Sequence, residues 1–362
     1  MLFLTRQFGI TENDADRNLD QESALFEEIV EYVLLLQANS ASQQKRPIGR
    51  GTHVKGTCVR GQFEVFDLST QRGPELTSRL AKGIFAKPGV YPAIVRFGNS
   101  DPKVNSDFKA DVRSLSFSVD LTNSSTSSGG RQDFSLQNAT TLPINDAPAF
   151  LATMKLLTAS HPAKGLWSLS FEDKLRVMRT LVLAQLQAHQ KVQPYQQLRY
   201  WSTVPFRHGP FDVVKQSAIP LPGNPARLLQ KSNPKALQDE LIRHVKEDGK
   251  MSGFDFALQF LDAERMTYWG KSHDTSFWVE NASLEWDENE APFHTVARLT
   301  LLANSQLRPD ESDAAYFDVT GHSTPDSTPV GSINRARWRA EAASRKARAV
   351  AEVEVSKAIG RS

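Results

Sequence analysis

Three polar residues stand on strand faces that are otherwise apolar, and their types suit chemistry on a bound ligand. His53, Arg113 and Asn138 each lie at the end of an alternating segment whose residues on the same side are mostly Val, Phe or Leu. A polar group that is buried without a partner costs several kcal/mol. These residues therefore need one another, water or a ligand as a partner.

The residue types narrow the choice of ligand. A histidine and an asparagine that face one cavity suit proton transfer combined with orientation of a small polar substrate. A nearby arginine suits a carboxylate, which it binds through two charge-assisted hydrogen bonds. The other interpretation is that His53 is a structural residue with its hydrogen bonds made inside the core. Spacing alone does not decide between the two interpretations.

Elements with two different hydrophobic periods must position these residues. Alternation of apolar and polar residues predicts short strands between about residues 50 and 140 and again from 254 to 302, including a strand at 276–286. Between the two groups, residues 147–247 have a composition typical of helices, and residues 333–359 are predicted as a final helix. Since each group of strands is small for a stable sheet, the sequence favours one closed antiparallel barrel built from both.

Length, charge and cysteine content exclude several classes of protein. The 362 residues include 43 Lys and Arg and 41 Asp and Glu, so the net charge gives no argument for binding to nucleic acid. No apolar stretch approaches the roughly 20 residues of a membrane span. The N-terminal segment meets a charge at Arg6, so no signal peptide is expected. The single cysteine, Cys58, excludes an internal disulfide framework, and the expected compartment is the cytoplasm.

The polar residues fall within motifs that occur in the same order in one protein family. Residues 50–56 (RGTHVKG) resemble an R-x-x-H-x-K-G motif. Further segments that resemble the family are 95–97 (VRF), 111–113 (DVR), 133–138 (DFSLQN), 200–209 (YWSTVPFRHG), 285–287 (EWD), 296–299 (VARL) and 329–337 (PVGSINRAR). Over roughly residues 45–350 the sequence resembles the catalase superfamily, in particular its short members that lack an additional C-terminal domain.

The resemblance implies an α+β fold, in which a closed antiparallel β-barrel of about eight strands carries a helical insertion and C-terminal helices. It divides the chain into an N-terminal helical arm, residues 1–45, and a single catalase-like barrel domain, residues 46–362. The helical insertion is expected at about 147–247. The helix on the proximal side of the cofactor is expected at about 333–359.

The resemblance also implies haem b as the cofactor and a hydroperoxide as the substrate. In that family a distal histidine takes a proton from one peroxide oxygen and returns it to the other, while an asparagine orients the peroxide. His53 and Asn138 occupy these positions. Arginines of the family bind the haem propionates or lie beside the axial ligand. The arginines that correspond here are Arg50, Arg96, Arg113, Arg337, and Arg345 or Arg348.

The sequence departs from the family at the axial ligand of the iron. The family has a tyrosine four residues after an arginine on the last helix. Here Glu341 follows Arg337 at that spacing, and the last tyrosine in the chain is Tyr316. Glu341 could supply a carboxylate ligand, His322 or another group could replace it, water could complete the coordination, or the protein binds no haem. Glu341 is therefore both the candidate metal ligand and the main argument for a haem-free protein.

Thr52 bears on the identity of the substrate. Members of the family that are specialised for hydrogen peroxide usually have valine before the distal histidine. The allene oxide synthase branch, which rearranges fatty-acid hydroperoxides, has threonine at this position, with its hydroxyl near the histidine and asparagine. Thr52 therefore favours an organic or fatty-acid hydroperoxide over H2O2 as the substrate.

Three hypotheses follow from the sequence. The first is a haem-dependent catalase, peroxidase or hydroperoxide-rearranging enzyme that cleaves the O–O bond with help from His53 and Asn138. The second is a haem-free catalase-fold protein that serves as a binding module. The third is a non-haem enzyme that binds an apolar acid through its arginines. The expected partner is a small-molecule hydroperoxide, with neither nucleic acid nor a membrane span, and a homodimer is a possible assembly.

Overall fold

The computed structural model describes residues 19–45, 48–69, 73–122, 130–224, 227–246 and 252–348. Residues 1–18 of the predicted N-terminal arm and residues 349–359 of the predicted last helix lie outside these ranges. None of the helices within these ranges combines the length and the apolar character that a membrane crossing requires.

Helices and strands follow one another in groups along the described chain. The helices are α1 (Leu19–Gln43), α2 (Pro74–Leu80), α3 (Ala147–Thr158), α4 (Pro162–Ser168), α5 (Phe171–Ala188), α6 (Ala236–Lys246), α7 (Thr275–Glu280), α8 (Pro309–Ala314) and α9 (Ser332–Ala347). The strands are β1 (Gly56–Val65), β2 (Gly89–Asn99), β3 (Arg113–Asp120), β4 (Arg131–Gln137), β5 (Tyr200–Trp201), β6 (Phe206–His208), β7 (Asp212–Pro220), β8 (Ser252–Phe260), β9 (Thr267–Tyr268), β10 (Lys271–Ser272) and β11 (Phe293–Gln306).

Eight antiparallel strands of the described chain close into a barrel, which confirms the predicted fold class. They hydrogen-bond in the order β5-β4-β3-β2-β1-β11-β8-β7, and β7 returns to β5. Few residues form the pairing that closes the barrel. Gln137 of β4 pairs with Trp201 of β5, and Trp201 in turn pairs with Ser217 of β7. The strand β6 pairs with β7 outside this ring. Closure gives each of these eight strands a hydrogen-bonded neighbour on both sides.

Phenylalanines from four strands fill the barrel. Phe63, Phe117, Phe134 and Phe256 are fully buried, and every pair of these rings has a centroid distance between 4.6 and 5.8 Å. The alternation of β1, β3, β4 and β8 points these residues to the same side of the sheet. Each aromatic pair adds about 0.5–1.5 kcal/mol to the stabilisation that comes from burial alone.

A layer of helices covers one side of the barrel, and it positions α9. Phe26 of α1 packs in one apolar cluster with Ala336 of α9 and with residues of α3. The buried guanidinium of Arg335 then joins α9 to two other helices, since it lies 2.8 Å from a carboxylate oxygen of Glu22 in α1 and 3.0 Å from one of Glu280 in α7. The predicted proximal-side helix is therefore fixed by both apolar and ionic contacts.

Two segments differ from the sequence-based predictions. Residues 147–247 contain β5, β6 and β7 between their helices. The strands β5 and β6 have two and three residues, too few to show a period, and the β7 sequence DVVKQSAIP does not alternate between apolar and polar residues. The predicted strand at 276–286 instead begins within α7. Asp274 caps that helix, because its side chain accepts a hydrogen bond from the Phe277 backbone N–H at 2.9 Å.

We expect Phe256→Ala to lower the free energy of unfolding by about 3–5 kcal/mol, because it leaves a cavity among rings that cannot close around it. Urea denaturation followed by circular dichroism measures this change. Phe211→Ala is the matched control, since Phe211 is 47% exposed beside β7 and should change stability by less than about 1 kcal/mol. Equal losses in the two variants would contradict a barrel core centred on Phe256.

Candidate functional site

A tight loop before β1 holds His53. Its backbone has a φ of 53°, in the left-handed region that non-glycine residues seldom enter. Its N–H donates to Ser100 O at 3.3 Å, its carbonyl accepts from Arg96 Nη2 at 2.8 Å, and its Nδ1 lies 3.1 Å from Ser114 Oγ. With Nδ1 engaged by a hydroxyl, Nε2 is the ring nitrogen left to meet a ligand. The neighbouring Thr52 side chain is exposed.

His53 is a neutral imidazole at physiological pH. Burial lowers the pKa of His53, and the positive charges of Arg96, Arg337 and Arg50 lower it further, to about 3. A neutral imidazole can accept a proton at Nε2, whereas a charged one cannot. The residue is therefore in the protonation state that a general base requires.

Two glycines make room for the guanidinium group of Arg96. A Cβ atom at Gly56 would lie 2.6 Å from Arg96 Nη2, and one at Gly98 would lie 2.8 Å from Arg96 Nη1. Gly98 also pairs with Ser114 across β2 and β3, and its added Cβ would come within 3.3 Å of the Ser114 hydroxyl. Backbone oxygens add to the constraint, since the Cβ atom at Gly56 would lie 2.5 Å from Phe97 O and the one at Gly98 would lie 2.9 Å from Lys55 O. Both positions therefore require glycine.

Further arginines approach Arg96 from other elements. Arg50 donates to the carbonyl oxygens of Asp313, at 3.3 Å, and of Ala315, at the end of α8. Burial lowers the pKa of both Arg50 and Arg348, and the charge of Arg96 lowers each of them further. The buried Nε atoms of Arg96 and Arg348 have no hydrogen-bond partner within the described chain. The resulting positive potential favours an anion at this place.

Glu341 of α9 lies within electrostatic reach of these arginines. Its Oε1 accepts a hydrogen bond from Arg337 Nε at 2.5 Å, whereas its Oε2 is buried and has no hydrogen-bond partner among the residues that the structure describes. Burial raises the pKa of Glu341, and the charge of Arg337 opposes that shift. Arg345, on the same helix, binds the carboxylate of Asp318. Glu341 therefore offers one acceptor atom to a ligand.

Asn138 and Arg113 have partners in a neighbouring network. Asn138 Oδ1 accepts from the Arg113 backbone N–H at 2.6 Å, and Asn138 Nδ2 donates to Gln190 Oε1 at 3.1 Å. The Arg113 guanidinium donates to the carbonyl oxygen of Asp107 at 2.6 Å. Arg113 thus supports the loop that precedes β3. Asn138 fixes the start of β3, next to Ser114.

A buried ion pair, which the sequence reasoning missed, stabilises the loop after His53. Lys55 Nζ lies 2.6 Å from Asp107 Oδ1, and both side chains are buried. Asp107 also accepts from Asn99 Nδ2 at 2.9 Å and from the Leu237 backbone N–H at 2.8 Å. The signal in the sequence is Lys55 itself, within residues 50–56 (RGTHVKG), because a lysine needs an anionic partner once it is buried.

The architecture matches that of solved catalases. A fungal catalase aligns with 85% of this chain at 15% identity and a TM-score of 0.62, a bacterial catalase with 88% at 14% and 0.59, and catalase A from Saccharomyces cerevisiae with 86% at 16% and 0.58. The chain has the catalase fold. The alignments span 61%, 60% and 63% of the lengths of those catalases. By sequence, the chain matches no family model and no curated protein.

The catalase fold brings most of the predicted site residues into one electrostatic group. Its members are His53, Arg50, Arg96, Arg337, Glu341, Arg345 and Arg348. Arg113 and Asn138 belong instead to the neighbouring hydrogen-bond network, which reaches His53 through Ser114 in β3. The site therefore combines a neutral histidine, an excess of arginines and one carboxylate whose Oε2 has no hydrogen-bond partner among the described residues.

We expect the His53 imidazole to stay uncharged as pH falls to about 4, because its pKa is about 3. An NMR titration of the ring resonances measures this directly. Replacing Arg96 by Gln removes a charge that lowers the pKa, so the pKa of His53 should rise. Arg265→Gln, at an exposed position, should leave it unchanged.

The lowered pKa of His53 also predicts that the stability of the folded chain depends on pH. The unfolded chain takes up a proton at His53 near pH 6.5, whereas the folded chain does so only near pH 3. The contribution of His53 to stability is therefore complete above about pH 6.5 and is lost as pH falls towards 3. A His53 that titrates near 6.5 in the folded protein would contradict the arginine-rich environment.

Proposed function

We propose that this chain binds haem and acts on hydroperoxides, with an organic or fatty-acid hydroperoxide as its substrate. The observation that carries the proposal is the neutral His53, which is hydrogen-bonded to Ser114 and lies in the field of arginines from β2 and α9 within a catalase fold. The preference for an organic hydroperoxide depends on Thr52 and on the sequence resemblance at that position.

The available donor atoms fit haem b. A haem group needs an axial donor for its iron and cationic partners for its two propionates. Within the described chain, Glu341 Oε2 and the Nε atoms of Arg96 and Arg348 are buried without hydrogen-bond partners. Glu341 would supply a carboxylate ligand to the iron, and Arg96, Arg348 and Arg50 would hold the propionates. When bound, haem supplies the iron chemistry of O–O bond cleavage.

In this proposal His53 moves the proton. Its Nε2 accepts the proton of the hydroperoxide O–H group and returns it to the oxygen that leaves. Ser114 engages Nδ1 and so fixes the orientation and tautomer of the ring. Arg96 holds the loop through the His53 carbonyl, and its charge adds to burial in keeping the imidazole neutral between turnovers. Asn138 is a positioning residue, because it fixes the start of β3 beside Ser114.

A haem-free binding protein is the second candidate, and contacts of α1 and α9 favour it. Arg337 already pairs with one oxygen of Glu341. Gln37 of α1 connects the loop before His53 to α9, since its Nε2 donates to Gly49 O at 2.6 Å and to Ser344 O at 3.3 Å. A protein of this kind would bind an apolar acid through the arginines, without a metal.

Reconstitution with haem distinguishes the two candidates. Protein expressed with a haem precursor should show a Soret band equivalent to about one haem per chain. We expect Glu341→Ala to abolish or shift that band, because the variant removes the axial donor. Glu264→Ala, at an exposed position, should leave the spectrum unchanged. Failure of the wild-type chain to bind haem even after reconstitution would favour the haem-free candidate instead.

His53→Ala tests the role of the histidine. The variant should keep its haem content but lose peroxide-dependent oxidation by about 100-fold or more, the usual contribution of a general base. His189→Ala, on the exposed end of α5, is the control and should retain activity. Activity with a fatty-acid hydroperoxide should exceed activity with H2O2. A His53→Ala variant that loses haem rather than activity would show that the residue is structural.

A further inference from the structure

Helices α4 and α5 present large apolar side chains to solvent. Trp167 of α4 is 81% exposed, and at the two ends of α5 Phe171 is 78% and Leu186 is 69% exposed. Exposed apolar patches of this kind mark contact sites for proteins or membranes. The α4–α5 face consists of Trp167, Phe171, Leu175, Met178, Val182 and Leu186.

The spacing within α5 places this face on one side of the helix. The α5 residues of this face stand at i+4, i+7, i+11 and i+15 from Phe171, which places them in a single stripe along the helix. On the other side of α5, Val177 and Thr180 are buried, and Val177 packs with Ala152 and Leu169. The α4–α5 face is therefore additional to the side that the fold itself buries.

The segment around this face has an excess of positive charge. Residues 161–191 contain five basic and two acidic side chains. Arg176 pairs with both acidic residues, at 2.6 Å from Glu172 and 2.9 Å from Asp173. The acids of the segment are thereby neutralised within α5. The other basic residues are Lys164, Lys174, Arg179 and Lys191.

The charges favour an anionic lipid surface over a second copy of this chain. Two copies joined through α5 would bring the same basic residues together, and the two acids of each copy already pair with Arg176. Anionic headgroups would supply the missing negative charge, while Trp167 and Phe171 are residue types that insert at the boundary between lipid and water. We infer that the α4–α5 face binds an anionic lipid surface without crossing the bilayer.

The face ends at a cavity that is linked to the candidate site. Leu186 and Gln187, at the C-terminal end of α5, line a cavity of about 360 Å³ together with Asn138 and Trp201. Binding through α5 would hold this cavity close to the lipid–water boundary. The lipid-binding inference depends on α4 and α5 alone and is independent of haem.

Co-sedimentation of the full chain with vesicles tests the inference. Vesicles of phosphatidylcholine and phosphatidylglycerol in equal parts should bind the protein, vesicles of phosphatidylcholine alone should bind far less, and added salt should weaken the binding. The variant L175Q/M178Q/V182Q should bind the anionic vesicles at least about tenfold more weakly. Lys164→Gln and Lys174→Gln should each weaken binding about fivefold.

The control variant is V90Q/V104Q/L228Q, which removes three exposed apolar side chains from other surfaces and should bind as the wild type does. Circular dichroism verifies that each variant is folded, and haem content, measured in parallel, should be the same in all of them. A wild-type chain that ignores anionic vesicles would overturn the inference, as would equal losses in both triple variants. The inference would also be overturned if analytical ultracentrifugation detected a dimer of the wild-type chain that dissociates in L175Q/M178Q/V182Q but not in the control variant.

Discussion

The guanidinium group of Arg96, buried in the wall of the barrel, constrains most of the candidate site. A charge taken out of water costs several kcal/mol unless partners compensate for it, and Arg96 finds one such partner in the carbonyl of His53. That contact helps to hold the left-handed loop. The guanidinium, together with the carbonyl oxygens of Phe97 and Lys55, leaves no room for a Cβ atom at positions 56 and 98, and its charge adds to burial in keeping His53 neutral. One buried cation therefore bears on the loop conformation, on the two glycines and on the protonation state of the histidine.

The barrel could be predicted from the sequence where apolar and polar residues alternate along a strand, as in β1, β3, β4 and β8. It could not be predicted where pairing is brief or where the strand sequence does not alternate. Closure depends on β5, whose two residues carry no period, and on β7, whose sequence DVVKQSAIP does not alternate between apolar and polar residues. The prediction at 276–286 failed for a different reason, because Phe277, Trp278 and Val279 are typical of strands while the cap at Asp274 starts a helix.

The candidate site could be predicted in part, because alternation along a strand shows which side chains share its apolar face. A polar residue on an apolar face must find a partner, and this rule identified His53 without naming Ser114 as its partner. The pleat of a strand, however, sets side-chain direction only inside the strand. Arg113 is the first residue of β3 and Asn138 follows the last residue of β4, so the adjoining loops set their directions. Asn138 accordingly bonds to the Arg113 backbone N–H and to Gln190, and the Arg113 guanidinium bonds to the carbonyl of Asp107.

Burial and Arg337 act in opposite directions on the carboxyl group of Glu341. A carboxyl has an ordinary pKa of about 4.3, so in water it is an anion at neutral pH without help from a neighbouring cation. In Glu341 burial raises the pKa, and the charge of Arg337 opposes that shift. Even with Asp313 and Asp318 included, the arginines of the described site outnumber its carboxylates. The site therefore favours a negatively charged occupant, a requirement that the propionates of haem and the carboxylate of an apolar acid both meet.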